Sequence, residues 1–501
     1  MKRALAIAAA LAAFVSTASE PPSGAPIEAA GISAATRIDA ESVESAIALR
    51  DLAMQRSEAW HILESLTTEV GPRLAGSEGD ARAVAWAQAM FQQLRYDKVW
   101  TEPVTFPVWE RRAESGAILA PFPHQLALTA LGGSVGTGRH GIEAEVIGFA
   151  TLEALKQARA EDVRGKIVFI GNRMARARDG GGYGPAVAAR VQGSQAAAAL
   201  GARAILIRSI GTSSNRLPHT GVAVSLTELL ADADAVAKLP KTRGGLPIPH
   251  TPIPAAALSN PDADILSRML ERSRPVRLKL VLDVGYRKTE YTSANVIGEI
   301  KGSERPEEVV LLGCHLDSWD LGTGAIDDGA GCAITMAAAF LIRQQRLKPR
   351  RSIRVVLFAN EEQGIYGGKA YGTQHRTEVA RHVIGAESDF GAGRIWRLDT
   401  KVKPEALAAI DQIMQVLAPI GVSRGLPYAF GGPDLGPMRD AGMPVLSLQQ
   451  DGTTYFDIHH TANDTLDKID SKALDQNVAV YAVFAWLAAQ AEGDFGSVPA
   501  P

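Results

Sequence analysis

Five segments of the 501-residue chain carry side chains whose types and spacing suit divalent-metal chemistry. LLGCHLDSWD brings an apolar run to His315, VVLFANEE brings another to Glu361 and Glu362, and VIGAESD brings a third to Asp389. GAIDDGAG lies between the first two, with Asp327 and Asp328 at a predicted helix start, and DIHHTANDT contributes His459 and His460. His315, Asp327, Glu362, Asp389 and His460 together make two imidazoles and three carboxylates with no thiolate. Such mixed ligation suits borderline ions, Zn²⁺ first, with Co²⁺ or Mn²⁺ as substitutes. One hydrolytic zinc uses about three protein ligands and a water. Five ligands can instead serve two ions about 3.5–4 Å apart if one carboxylate bridges them, and the chemistry of such a pair is hydrolysis by activated water.

Each segment has a blander reading taken alone. Asp327 or Asp328 would cap a helix, because a carboxylate oxygen satisfies an orphan N–H; Glu361-Glu362 would be a solvated pair, His459-His460 a polar loop, and Asp389 a strand end. Together these readings require independent coincidences at the same end of one sheet. In an open α/β sheet that end, beyond the carboxyl termini of the strands, is where ligands bind.

The elements that must position these residues follow from the patterning. Residues 38–94 have helical periodicity broken by VGPRLAGSEGD, which predicts two or three helices. From about 100 to 290, short β-branched runs separated by Gly/Pro turns, with one Ala-rich helix at GPAVAARVQGSQAAAALG, predict a β-rich insertion. From about 290 to 493, strands and helices alternate, which predicts a mixed, mainly parallel α/β sheet flanked by helices.

The first residues, Met1-Lys2-Arg3, the apolar run Ala4–Val15 and the small residues Ser16-Thr17-Ala18, have the form of a secretory signal over 1–18, followed by a flexible leader over 19–37. The apolar run is shorter than the ~20 residues a membrane span needs, so a soluble periplasmic or secreted product is expected, with no membrane attachment after cleavage. Fifty-two basic against 55 acidic residues, a net charge of −3, offer no global field for nucleic acid or anionic lipid. The basic stretch KPRRSIR at 348–354 reads as a solvated turn, Arg203 and Arg208 as solvated surface, and Arg394 and Arg397, after the ESD strand, either as solvated surface or as partners of a substrate carboxylate. Cys314 and Cys332 read as small buried hydrophobes, a single bridge being the alternative in an oxidising compartment.

GCHLDSWD, GAIDDGAG, ANEEQG, ESD and HHTANDT, in this order and spacing, resemble the M28 family of zinc aminopeptidases, and WDLGTGAIDDGAG resembles its plasma glutamate carboxypeptidase branch. The resemblance is strong over about 290–490 and extends to GPRLAGSEGDARA near 71–83. It implies that His315 and Asp389 hold one zinc, Glu362 and His460 the other, and that Asp327 bridges. His460 rather than His459 is the implied ligand because it stands four residues before Asp464, and His459 is left to support the site or to donate to a substrate carbonyl. Glu361 would be the general base, and Asp317 would accept the free ring N–H of His315. A cis Asp327–Asp328 bond is also implied. EDVRGKIVFIGNR followed by GSQAAAALGARAILI resembles a protease-associated domain, dividing the chain into catalytic residues 38–117, the inserted domain 118–283 and catalytic residues 284–495.

The resemblance therefore implies an exported di-zinc aminopeptidase or dipeptidase acting on short peptides with a free N-terminus, and admits a homodimer. The competing readings are an amidase or deacylase with the same metal pair, a one-zinc glutaminyl-cyclase chemistry, and a receptor-like binding module that does no catalysis.

Overall fold

The computed structural model describes residues 35–497 apart from 227, 228, 230, 231 and 273. The expected signal segment and all but the last three residues of the leader lie outside the described residues.

The strands are β1 (Lys98–Ala120), β2 (His124–Leu126), β3 (Leu128–Ala130), β4 (Ile142–Phe149), β5 (Ile167–Ile170), β6 (Ala204–Arg208), β7 (Ala255–Leu258), β8 (Arg277–Ile300), β9 (Arg305–His315), β10 (Arg351–Phe358), β11 (His382–Glu387), β12 (Ile395–Lys401), β13 (Ser423–Arg424) and β14 (Val445–Gln450). The helices that matter for the site are α1 (Ala40–Gln55), α2 (Ala59–Ser65), α3 (Glu78–Gln93), α4 (Tyr183–Ala199), α5 (Asn260–Leu270), α6 (Ala330–Arg343), α7 (Tyr366–Gln374), α8 (Leu407–Leu417) and α9 (Ser471–Gln490).

All the strands join in one mixed sheet, ordered β13-β12-β14-β11-β9-β10-β8-β4-β5-β6-β7-β3, with β1 along β8 and β2 on β1. Two parallel blocks, β14-β11-β9-β10 and β4-β5-β6-β7, are joined by β8, which runs antiparallel to both β10 and β4. β1 and β8, 23 and 24 residues long, form an antiparallel ribbon. Both strands are longer than the short runs the sequence predicts, and Pro103 and Pro107 lie within β1. They are accommodated because β1 has a partner on only one side along that stretch, and an edge strand tolerates a missing N–H.

The divisions expected at 118 and 283 fall inside β1 and β8. The segment between them is more helical than the β-rich texture predicts, because α4 and α5 pack on its parallel strands. α5 was hidden by its own start signals: the Ser259 side chain accepts from Asp262 N and Pro261 sits in the first turn, which in sequence resembles a loop.

In the catalytic half, α9 is buried from Ala473 to Gln490. A helix apolar all round belongs inside a large core. α1 packs on it, with Trp486 Nε1 donating to Ser42 O at 2.9 Å. α6 is likewise buried along most of its length, and Gly331 at its start lets the helix approach β11, since a Cβ there would stand 1.9 Å from Ser388 O. Cys314 at the end of β9 and Cys332 in α6 are joined by a disulfide, Cα–Cα 5.2 Å, which corrects their reading as free buried thiols. The bond ties a strand end to the helix that follows Asp327 and Asp328.

Two further expectations are corrected. KPRRSIR is not a solvated turn: Arg351 is 1% exposed, pairs with Glu308, and donates through Nη1 to Ala488 O at 3.1 Å. Arg208 is also buried, and holds Asp264 at 2.5 Å. In both cases the sequence shows a cation but not the distant carboxylate that allows it to be buried.

The loop from β9 to Asp327 is held by Arg73, from the GPRLAGSEG turn between α2 and α3. Its side chain is fully buried and donates to Leu316 O at 2.6 Å, Thr323 O at 2.6 Å and Gly324 O at 2.8 Å. Arg73→Met leaves these carbonyls without donors and should lower unfolding free energy by about 3–5 kcal/mol, measured by urea denaturation; a loss below ~1 kcal/mol would mean that the loop holds itself.

His382, at the start of β11, donates from Nδ1 to Glu378 O at 3.0 Å and accepts from Tyr371 Oη at 2.8 Å. Burial pushes its pKa down from 6.5 to about 4, so it is folded as the neutral ring. The stability it contributes is present above pH 6.5 and is lost as pH falls toward 4. Neighbouring His375, although also penalised by burial, is raised by its bonds to Glu102 and Glu378 and responds in the opposite sense. Comparison with His382→Gln isolates the first effect: wild type should lose roughly 2–3 kcal/mol more than the variant between about pH 7.5 and about pH 4.5. Equal slopes in the two proteins would remove His382 from the account.

Candidate metal centre and active site

β11, β9 and β10 are adjacent and parallel, and their carboxyl ends are aligned: Phe358 pairs in register with His315, and Glu387 with Gly313. The residues just beyond these ends are Glu361-Glu362, Leu316–Asp320 and Ser388-Asp389. A fourth segment, 459–460, reaches the same place from the loop after β14. The backbone is bent to do so, since Asn360 and His460 adopt the left-handed conformation, φ +53° and +61°. Non-glycine residues hold that conformation only where their surroundings impose it.

The five candidate ligands converge. His315 Nε2 lies 3.1 Å from Asp327 Oδ1 and 3.5 Å from Asp389 Oδ1. His460 Nε2 lies 3.1 Å from Asp327 Oδ2 and 3.0 Å from Glu362 Oε2. Asp327 thus presents one oxygen to each imidazole, the arrangement a bridging carboxylate requires. Donors around one zinc, at about 2.0–2.2 Å from it, stand about 3.3–3.6 Å apart; the His315–Asp389 spacing of 3.5 Å falls in that range, and the other three, at 3.0–3.1 Å, are a few tenths of an ångström shorter.

Satisfaction and charge point the same way. Glu362 Oε1 is buried without a hydrogen-bond partner, and Asp327 Oδ2, though near His460, is not aligned for one. Buried acceptors left in this state are costly unless something cationic serves them. Burial alone would lower the imidazoles, yet the surrounding carboxylates of Asp317, Asp327 and Asp389 hold His315 well above its ordinary range. His460 is likewise raised, against burial, by Glu362 and Asp327. A cluster that draws protons onto its histidines is one that calls for positive charge, and the donor set fits divalent zinc.

His459 stacks on His460, ring centroids 3.5 Å apart, with Nε2 3.5 Å from Asp327 Oδ2. It differs from its neighbour in being pushed well below the usual imidazole range, first by burial and then by cationic His460. The geometry therefore brings both histidines to Asp327, but only His460 lies between Asp327 and Glu362.

The supporting groups differ in part from expectation. His315 Nδ1 donates to the backbone carbonyl of Asp317 at 3.0 Å, while the nearest Asp317 carboxylate oxygen is 3.7 Å away. That carboxylate instead accepts from Glu361 N at 3.0 Å and Glu362 N at 3.4 Å. Asp317 thus orients the imidazole through its main chain and the two glutamates through its side chain. Asp328 accepts from His315 N and from Gly331 N, both at 3.1 Å, so it clamps the strand end to α6. The Asp327–Asp328 peptide is cis, as the resemblance implies. His460 Nδ1 lies 3.3 Å from Thr220 O, a carbonyl of the segment between β6 and β7.

Glu361 lines the cleft beside this cluster. Burial, with Asp389, Glu362 and Asp434 as like charges and His315 opposing, pushes its carboxyl well above the usual range. Glu387, another cleft residue, is raised by burial and by Asp389; its Oε2 accepts from Asp434 N and Leu435 N at 3.0 and 3.2 Å, and its Oε1 has no partner.

The cleft has a volume of about 520 Å³, within the range of small-molecule sites. Its apolar wall includes Phe390, Tyr455, Phe456 and, from α4, Tyr183, which stacks on Phe456 at 4.9 Å. Arg190, also from α4, is a cleft residue that sequence reading missed, because an arginine in an Ala-rich helix carries no signal of where it points. Arg394 and Arg397 are not among the cleft-lining residues; Arg394 donates to Ile420 O and Arg397 pairs with Asp399.

Comparison with known proteins agrees with this geometry. The family model "Peptidase family M28" matches residues 295–485, a span that contains all five candidate ligands. Carboxypeptidase Q of Homo sapiens is 35% identical over 441 residues, covering 87% of this chain and 86% of the relative, and that of Mus musculus is 35% identical over 438 residues, with the same shares of each chain. Among solved structures, a peptidase M28 precursor from Shewanella amazonensis is 48% identical with a TM-score of 0.83, covering 92% of this chain and 99% of that one. A zinc aminopeptidase from Bacillus subtilis shares the fold at 20% identity, TM-score 0.59, covering 85% and 93%. With imidazoles and carboxylates gathered at the sheet's carboxyl edge and this likeness along most of its length, the chain belongs to peptidase family M28, as a zinc metallopeptidase.

Proposed function

We propose that the protein is an exported exopeptidase that uses two zinc ions to hydrolyse dipeptides or short peptides with a free N-terminus. The observation that carries this reading is Asp327 set between two imidazoles, 3.1 Å from each through different oxygens. His315 and Asp389 would hold one ion, Glu362 and His460 the other, and Asp327 both. Zinc bound there supplies a Lewis acid that makes water nucleophilic near neutral pH and draws charge from a carbonyl oxygen.

The chain's own groups do the rest. Glu361 takes the proton of the attacking water and returns it to the leaving amine, a double duty suited to a carboxyl whose pKa is lifted by burial and like charges. Asp317 holds the Glu361 and Glu362 backbone in place, so base and ligand keep separate directions. Glu387, with a free acceptor in the cleft, suits the ammonium of a substrate N-terminus. The aromatic wall takes apolar side chains and keeps water from the reacting carbonyl.

Residues 118–283 are read here as a protease-associated domain between catalytic residues 38–117 and 284–495. Residues 1–18 are read as its signal for export to the periplasm or beyond. Thr220 O behind His460 supports a role for the insertion in shaping the cleft.

Glu361→Gln should keep its metal and lose about 10²–10⁴-fold in kcat, measured on a free dipeptide; near wild-type turnover would exclude it as the base. Elemental analysis tests the pair. Wild type should hold two zincs per chain, Glu362→Gln close to one, and Asp327→Ala fewer than either, because it alone would serve both ions. One zinc in the wild type, or no difference between the two variants, would contradict the bridge.

A further inference from the structure

The two imidazoles of the cluster are supported differently. His315 is held within its own strand end, its Nδ1 donating to Asp317 O two residues on. His460 is held by Thr220, 240 positions away in the chain. Thr220 N donates to His460 O at 3.0 Å, and Thr220 O stands 3.3 Å from the ring Nδ1, so one residue grips both the backbone and the ring. An imidazole that offers Nε2 to a metal needs an acceptor at Nδ1, because that bond sets its tautomer and direction. His460 also keeps its left-handed φ of +61° only under constraint. Whatever holds Thr220 therefore decides where the ring points.

Arg111, in β1, holds it. Nη2 donates to Thr220 Oγ1 at 3.1 Å, and Oγ1 in turn donates to Ala130 O at 2.9 Å. The guanidinium is fixed on its other sides. Nε and Nη2 each reach one oxygen of Asp320 at 3.0 Å, and Nη1 donates to Glu114 Oε2 at 3.0 Å and to Ala130 O at 3.1 Å. One nitrogen, Nη2, thus joins the loop after β9 to the residue behind His460. The space between is filled by aromatic rings: Arg111 lies over Trp109 at 5.5 Å, Trp109 meets Trp319 edge-on at 6.2 Å, and Trp319 meets the His460 ring edge-on at 5.9 Å. Arg111 does not line the cleft. Its route to the site is through Thr220.

We propose that Arg111 is a positioning residue for the metal ion of Glu362 and His460: by fixing Thr220 it aims the His460 ring, and it raises the affinity of that ion without affecting the ion of His315 and Asp389. This rests on the two-ion reading above and goes beyond it in giving the two ions separate supports. A group that holds a ligating histidine through its second nitrogen is worth about 10–100-fold in metal affinity.

Zinc affinity is measured by chelator competition in two backgrounds, Asp389→Asn, which leaves the ion of His460, and Glu362→Gln, which leaves the ion of His315. Arg111→Met should weaken zinc about 10–100-fold in the first background and less than about twofold in the second. Thr220→Val keeps the backbone pair and loses Oγ1; it should weaken the first ion to a similar extent, and it carries the test if the methionine variant folds poorly. The double variant should be no weaker than either single one, because the same path is cut twice. Asp320→Asn breaks the ion pair and leaves the Thr220 bond, so it should lower the melting temperature and leave both affinities unchanged. Unchanged affinity in Arg111→Met and Thr220→Val, equal losses in the two backgrounds, additive losses in the double variant, or a loss in Asp320→Asn as large as in Arg111→Met would each overturn the proposal and leave Arg111 a stabiliser of the fold. The two readings fail separately. If the wild type binds zinc as expected, the Arg111 variants behave as above and no dipeptide is hydrolysed, the hydrolytic function falls and the positioning role stands. If dipeptides are hydrolysed and Arg111→Met keeps both affinities, the reverse holds. An Asp389→Asn protein that binds no zinc with Arg111 in place overturns both.

Discussion

Like charges held close together and away from water dominate the electrostatics of the cleft, and the structure around it is arranged to hold them. Two carboxylates about 4 Å apart repel by roughly 4 kcal/mol at the effective dielectric of a protein site, and here Asp327, Glu361, Glu362, Asp389 and Glu387 share one cleft. Without cations the cluster relieves itself by drawing protons onto His315, His460 and Glu361. The arrangement persists because the surrounding structure overdetermines it. The disulfide and Asp328 clamp β9 to α6, Arg73 pins the intervening loop through three carbonyls, and Asp317 ties the end of β9 to the segment after β10. These devices act at the carboxyl ends of adjacent parallel strands, where backbone donors are available and the helices leave space.

The sheet is continuous through both halves of the molecule, and this shapes the site. β8 joins the block that carries the metal candidates through β10 and the block β4-β5-β6-β7 through β4, while β1 accompanies it along its length. The block β4-β5-β6-β7 is thus built on the same sheet as β14-β11-β9-β10 by shared backbone hydrogen bonds. The connections between its strands present Tyr183 and Arg190 to the cleft and the carbonyl of Thr220 to His460 at defined positions, which a flexible tether would not do. The substrate cleft lies between an acidic floor from the catalytic half and a wall that includes an aromatic and a cationic side chain from α4.

Much of the site was legible in the chain itself. Strands that run from apolar residues into His315, Glu361-Glu362 and Asp389 mark the edge of an α/β sheet, and the five segments in order make a family likeness that no single segment carries. What could not be read was pairing. Cys314 and Cys332 look like ordinary buried cysteines until β9 and α6 are brought together. Arg351 and Arg208 look solvated until Glu308 and Asp264 arrive beside them. Asp317 was expected to hold His315 with its carboxylate, but the backbone reaches the ring first, leaving the side chain for Glu361 and Glu362.

Which donors are present, their order, and the alternation of strand and helix that delivers them to one edge were legible along the chain, because periodicity and residue chemistry are local properties. Folding set which oxygen of Asp327 faces which imidazole, that β8 joins two parallel blocks into one sheet, and that an arginine from an alanine-rich helix is buried in the cleft with no counter-ion among the described residues. Those outcomes depend on distances between residues far apart along the backbone, and on whether a charge finds a partner once water is removed, which spacing along a chain does not specify.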